Sequence, residues 1–132
     1  MKRILVADDD ALIGMLLATM LQDMNFDVCT LETTERGTVE AALRLRPDLM
    51  IVDARLGRGS GLAAVAEIER HMTIPNIFMS GDRLPPAPNG APALLKPFTM
   101  QGLERAIRQV LDGAAGQMDQ SGGEAGRQDV LF

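Results

Sequence analysis

The chain is poor in cysteine: Cys29 stands alone among 132 residues, so no internal disulfide can form. It lies in an apolar run with Val28 and Leu31, which makes a buried thiol its expected role, and nothing points to an oxidising compartment. Positive charge is scarce as well. Lys and Arg number 13 against 18 Asp and Glu, the formal net charge is -5, and no basic cluster occurs. Phosphate backbones are bound mainly through Lys and Arg, so a nucleic-acid surface is not expected. Long hydrophobic runs are also missing. The neutral stretch Ala11 to Leu21 is too short to span a bilayer, and Met1 to Ala7 leads straight into acids without the apolar core and cleavage site of a signal peptide. These absences lead us to expect a soluble, cytoplasmic protein with no membrane contact. The one histidine, His71, falls at the end of an expected helix, where it reads as a helix-end cation.

What is present is an alternation of strand and helix signals. The length suits one domain with a short tail, and a second catalytic or DNA-binding domain is not expected. Lys2–Ala7, Phe26–Leu31, Leu49–Val52, Asn76–Met79 and Ala93–Leu95 read as strands. The third of these is wholly apolar, the pattern of a parallel strand covered on both faces. Ala11–Met24, Glu35–Leu45, Ser60–Met72 and Met100–Leu111 read as helices, with Ser60 and Thr99 as N-caps and Pro47 closing the second. Strands separated by helices favour a parallel sheet with right-handed crossovers. Between the last two strands, Pro85, Pro86, Pro88 and Gly90 argue against a regular helix. From Gly113 onward, Gly, Gln, Ser and Asp dominate, and a flexible tail over residues 113–132 is expected. Its end, Val130-Leu-Phe132, is an apolar exception that reads as a frayed terminus or a docking peptide.

The ends of the strands carry the chemistry. Asp8 and Asp9 follow the first strand, Asp53 the third, Ser80 the fourth and Lys96 the fifth, and a parallel sheet gathers such endings at one rim, where open α/β folds place their sites. Three carboxylates at close quarters repel, so a shared site implies a bound cation or raised pKa values. All-oxygen ligation suits Mg²⁺. A carboxylate can also act as a nucleophile and form an aspartyl phosphate. Asp53, alone at the end of a buried strand, is the candidate nucleophile, and the acidic pair is placed to hold metal. Phosphoryl transfer needs positioned donors for three equatorial oxygens, a role open to Ser80 and Lys96.

With Asp8-Asp9, Asp53, Gly61, Ser80-Gly81 and Lys96-Pro97-Phe98 in this order, the chain resembles the receiver domain of bacterial response regulators from Lys2 to Leu111. The resemblance implies a flavodoxin-like three-layer α/β fold with sheet order 2-1-3-4-5, here with the fourth helix short or missing, over residues 1–112. It implies Mg²⁺ held by Asp8, Asp9, Asp53 and the Arg55 carbonyl. It also implies phosphoryl transfer to Asp53 from a sensor histidine kinase or histidine phosphotransfer protein, contacts from Ser80 and Lys96 to the phosphoryl group, and a cis bond from Lys96 to Pro97. Such a protein acts as a switch that binds a downstream protein, as a monomer or weak dimer, and not as a turnover enzyme.

The match departs in places. Receivers commonly carry an aromatic switch residue where Ala93 stands. Pro75-Asn-Ile-Phe-Met-Ser-Gly81 is partly similar to the Pro-Phe-x-Phe-Ala-Thr-Gly-Tyr motif of single-domain receivers with an altered fourth-helix region. Arg55 and Asp82 occupy positions that tend to tune dephosphorylation and can pair across the entrance. Leu12, Ile13, Met15, Leu16, Leu17, Met20 and Leu21 surround the first helix, which is either well covered or presents an apolar strip to a kinase or phosphotransfer partner. The missing aromatic keeps open a module that signals without phosphorylation. A small aspartyl-phosphatase is disfavoured, since Arg55 stands where a second acid belongs. Nucleotide binding is disfavoured because no Gly-rich loop follows the first strand.

Overall fold

The computed structural model of the protein describes residues 1–82 and 89–119. Five parallel strands form the sheet: β1 (Arg3–Ala7), β2 (Asp27–Glu32), β3 (Leu49–Asp53), β6 (Asn76–Ser80) and β7 (Ala93–Leu95), in the order β2-β1-β3-β6-β7. This is the expected 2-1-3-4-5 order. The two remaining strands, β4 (Arg55–Leu56) and β5 (Gly59–Ser60), form a separate antiparallel hairpin that the sequence did not announce.

Side chains alternate across the central strands, so each face of the sheet needs its own cover. Ile4, Val6, Ile51, Ile77 and Met79 point to one side, where Leu17 and Leu21 of α1 (Ala11–Asp23) and Leu103 and Ile107 of α4 (Met100–Asp119) close over them. Leu5, Ala7, Met50, Val52 and Phe78 point to the other, against Ala41 and Ala42 of α2 (Glu35–Leu45) and Val65 and Ile68 of α3 (Gly61–Glu69). That double burial is why β1, β3 and β6 carry almost no polar residue before their last positions.

Local chemistry sets the helix ends. Asp10 caps α1 by accepting from the Leu12 and Ile13 N–H groups at 3.0 and 3.4 Å. Thr34 Oγ1 caps α2 through Gly37 N–H, Ser60 Oγ caps α3 through Ala63 N–H, and Thr99 Oγ1 accepts from Gly102 N–H in the first turn of α4. Arg46 adopts a left-handed conformation at φ 49° and ends α2 immediately before Pro47.

Two helix ends differ from expectation. α3 stops at Glu69 instead of Met72, because the N–H groups of Arg70, His71 and Met72 turn back onto Glu67 and Ile68. α4 passes the expected end at Leu111 and continues to Asp119, carried by Ala114, Ala115, Gln117 and Met118, all good helix formers. Among the described residues no helix lies between Ser80 and Ala93. Residues 83–88 of the proline-rich stretch, and the tail from 120 onward with Val130-Leu-Phe132, lie outside the described residues.

Candidate functional site

The rim of the sheet brings together most of the expected residues. β1 and β3 are paired neighbours with Ala7 opposite Val52, so Asp8 and Asp53 emerge side by side one residue later. Asp8 is 2% exposed and Asp53 8%, while Asp9 reaches solvent. Carboxylate oxygens of Asp8, Asp9 and Asp53 all lie within 4.8 Å of one another. Lys96, next after β7, crosses to them: its Nζ donates to Asp8 Oδ2 at 2.9 Å and to Asp53 Oδ2 at 2.8 Å. The Lys96–Pro97 peptide is cis, as the resemblance implied.

The electrostatics leave the site short of positive charge, with three carboxylates facing one ammonium. Burial pushes the Asp8 carboxyl above its ordinary range, and neither the Asp10 N–H, which donates to Oδ1 at 2.9 Å, nor Lys96 brings it back. For Lys96 the balance is reversed. Burial disfavours its ammonium, but the hydrogen bonds to Asp53 and Asp8 outweigh that cost and raise its pKa. A hard divalent cation answers this shortage, and the donors are all oxygen, which fits Mg²⁺.

Backbone N–H groups occupy part of the carboxylates. Arg55 N–H donates to Asp53 Oδ1 at 3.1 Å, and Gly57 N–H donates to Asp9 Oδ2 at 2.9 Å. The β4–β5 hairpin is thereby tied to the acids at its root and near its tip. Gly61 is required at the start of α3, because a Cβ there would sit 1.9 Å from the Asp53 carbonyl oxygen.

Ser80 stands on the same rim, one residue beyond Met79, the register partner of Asp53. Its hydroxyl nevertheless serves its own turn. It donates to the Asp82 carbonyl at 2.6 Å and accepts from the Asp82 N–H at 3.0 Å. Arg55 and Asp82 are both exposed and form no ion pair with each other, so of the two arrangements open to them the solvated one is found. His71 Nε2 lies 3.3 Å from Glu67 Oε2 on α3, apart from the rim, and this contact is the main cause that holds the Glu67 carboxyl below its ordinary range. On α1, Leu17 and Leu21 are buried, whereas Leu12, Met15 and Leu16 are 75%, 57% and 59% exposed and form one apolar strip beginning beside the acids. Sequence reasoning missed Glu35, whose Oε1 accepts from Ser60 N–H at 2.9 Å and holds the hairpin from the α2 side.

Fold and site together define a doubly wound α/β domain with an acidic, lysine-bridged cluster at the carboxyl rim of its sheet. The chain belongs to the response regulator receiver domain family, whose model matches residues 4–108. It is similar to the transcriptional regulatory protein PdtaR of Mycobacterium tuberculosis, at 35% identity over 112 residues, covering 80% of this chain and 55% of that protein. It is also similar to the KDP operon transcriptional regulatory protein KdpE of Escherichia coli, at 32% identity, covering 84% of this chain and 52% of that one. The chain thus spans about half the length of these curated relatives. Among solved structures, the receiver domain of the Erythrobacter litoralis response regulator PhyR superposes with a TM-score of 0.72 at 26% identity, covering 94% of this chain and 95% of that one. The chain is therefore a response regulator receiver domain of two-component signal transduction. Among the described residues, no helix is long and apolar enough to cross a membrane.

Proposed function

We propose that this receiver accepts a phosphoryl group onto Asp53 from a phosphohistidine of a sensor kinase or phosphotransfer protein and signals by binding another protein. The observation that carries the reading is the bridge from Lys96 Nζ to both Asp8 and Asp53, beside an oxygen cluster with an excess of negative charge.

In this reading Asp8, Asp9, Asp53 and the Arg55 carbonyl hold Mg²⁺, which when bound neutralises charge on the transferring group. An oxygen of Asp53 attacks phosphorus, the P–N bond to the donor imidazole breaks, and the departing imidazole takes a proton from solvent. Lys96 exchanges its contact with Asp53 for one with a phosphoryl oxygen. Ser80 turns its hydroxyl away from Asp82 to donate to another. Water attack on the same phosphorus later restores the carboxylate. The apolar strip of Leu12, Met15 and Leu16 is the proposed docking face for the donor, since it begins within one turn of the acids. Such a protein works in the cytoplasm, where kinases present phosphohistidine.

The rival is a receiver that signals without phosphorylation, favoured by the exposed Ala93 in place of a switch ring. Incubation with a small phosphodonor and Mg²⁺, followed by intact-mass measurement, separates the two. The wild type is expected to gain one labile phosphoryl group and Asp53→Asn none; a wild type that never gains it would favour the rival.

A further inference from the structure

The hairpin that carries Arg55 is too small to hold itself. It has two ladder pairs, Arg55 with Ser60 and Leu56 with Gly59, and isolated two-stranded hairpins are at best marginally stable in water. Gly57, at φ +60°, and Gly59 add backbone freedom. Leu56 anchors one strand in the core at 2% exposure. Apart from packing against α3, its hydrogen bonds to side chains go to carboxylates. Asp53 takes the Arg55 N–H, Asp9 takes the Gly57 N–H, and Glu35 takes the Ser60 N–H at 2.9 Å. Asp53 and Asp9 belong to the acidic cluster, where a cation would draw on the same carboxylates that now accept from the hairpin. Glu35 lies outside that cluster.

Glu35 is well placed for a fixed anchor. It is the first residue of α2, a helix held in the core by Thr38, Ala41 and Ala42. Ser60, whose N–H it accepts, is the N-cap of α3. The carboxylate therefore sits at the amino ends of two helices, where both dipoles favour negative charge. Gly59 gives it room, since a Cβ there would lie 2.7 Å from Glu35 Oε1 and 2.8 Å from Glu35 Cβ.

We infer that Glu35 is a positioning residue that holds the Arg55–Ser60 hairpin, and with it the Arg55 carbonyl, ready for a divalent cation from outside the acidic cluster. The inference rests on the phosphoacceptor reading above. Without Glu35 the closing strand loses its side-chain acceptor, and the hairpin must be ordered as the ion binds.

The test is a Mg²⁺ titration of ¹⁵N-labelled protein, followed at the Arg55 and Gly57 amides and by calorimetry. Glu35→Ala is expected to weaken Mg²⁺ binding about tenfold, the range found when a residue supporting a metal ligand is lost. Glu35→Gln keeps an acceptor oxygen and should stay within about threefold of wild type. Gly59→Ala displaces the carboxylate and should reproduce the loss, which keeps the inference testable if Glu35→Ala does not fold. A purely structural Glu35 would lower the metal-free melting temperature and leave the dissociation constant unchanged. That outcome, in a wild type that binds Mg²⁺, overturns this inference alone. A wild type that shows no Mg²⁺ response overturns the phosphoacceptor reading and this inference with it.

Discussion

Lys96→Met keeps an apolar stem of similar length and deletes the ammonium, so it isolates what that charge does for the metal-free fold. The ammonium is 2.9 Å from Asp8 Oδ2 and 2.8 Å from Asp53 Oδ2, and these acids are 2% and 8% exposed. Removing one partner of a buried ion pair costs about 3–5 kcal/mol, because the other charge is left buried and unpaired. The Lys96 side chain is 22% exposed, so water can take up part of its place, and we expect a loss of about 2–4 kcal/mol. For a domain of this size that corresponds to a fall in melting temperature of roughly 10–20 °C. The chain has no Trp or Tyr, so unfolding should be followed by far-ultraviolet circular dichroism, in chelator. Adding Asp8→Asn removes one of the stranded charges and should recover a substantial part of the loss. Saturating Mg²⁺ should stabilise Lys96→Met more than wild type, because the ion then supplies the missing positive charge. A metal-free Lys96→Met protein within about 0.5 kcal/mol of wild type, the range of ordinary surface substitutions, would refute the reasoning.

Three further outcomes follow from the same geometry. Gly61→Ala puts a Cβ 1.9 Å from the Asp53 carbonyl oxygen, a backbone atom that cannot swing aside, so it should cost about 1–3 kcal/mol or more in urea unfolding and shift the Asp53 amide resonance. The Lys96 pKa is raised in the fold above its ordinary 10.5, so the folded state holds that proton more tightly; its stabilisation is complete below pH 10.5 and is lost as pH rises through the folded value, a decline that Lys96→Met should lack. Leu16→Glu places a charge on the exposed strip of α1 and should weaken phosphotransfer from a kinase while small-donor phosphorylation stays intact; unchanged transfer would remove this face as the docking surface.

The site was legible because its parts stand at strand ends. The runs before Asp8, Asp53 and Ser80 are apolar because β1, β3 and β6 are covered on both faces, while edge strand β7 buries only Leu94 before Lys96; the first polar residue after each run marks the rim. Contacts across the chain were not legible in the same way. Glu35 reads as an ordinary first-turn acid, and its partner lies 25 residues away. The β4–β5 hairpin is two residues a side, too short for any period to register. The turn to Gly-rich composition after Asp112, with Gly113 and Gly116, hides the last turns of α4, though each glycine costs only about 1 kcal/mol in a helix otherwise well supplied with formers. The positions of Arg55 and Asp82 beside Asp53 and Ser80 allow either a pair or two solvated side chains, because sequence position says nothing about where an exposed side chain points. On α1, sequence left coverage open, and the fold resolves it: Leu17 and Leu21 face the sheet, and Leu12, Met15 and Leu16 do not.

Ala93 removes the ring that most receivers would use to report phosphorylation, yet the rim contains another connection. A serine hydroxyl has one proton to donate. In Ser80 that proton is committed to the Asp82 carbonyl at 2.6 Å, at the entrance to the proline-rich stretch. It cannot serve a phosphoryl oxygen on Asp53 and the Asp82 carbonyl together. Engagement of Ser80 by the phosphoryl group therefore frees a backbone acceptor at the start of that stretch, without any aromatic rotation. With beryllofluoride as a stable phosphoryl mimic, the wild-type Asp82 amide resonance should move. Ser80→Ala, which lacks the hydroxyl in both states, should bind the mimic with much less movement at Asp82. Equal shifts in the two proteins would show that Asp82 responds through some other route.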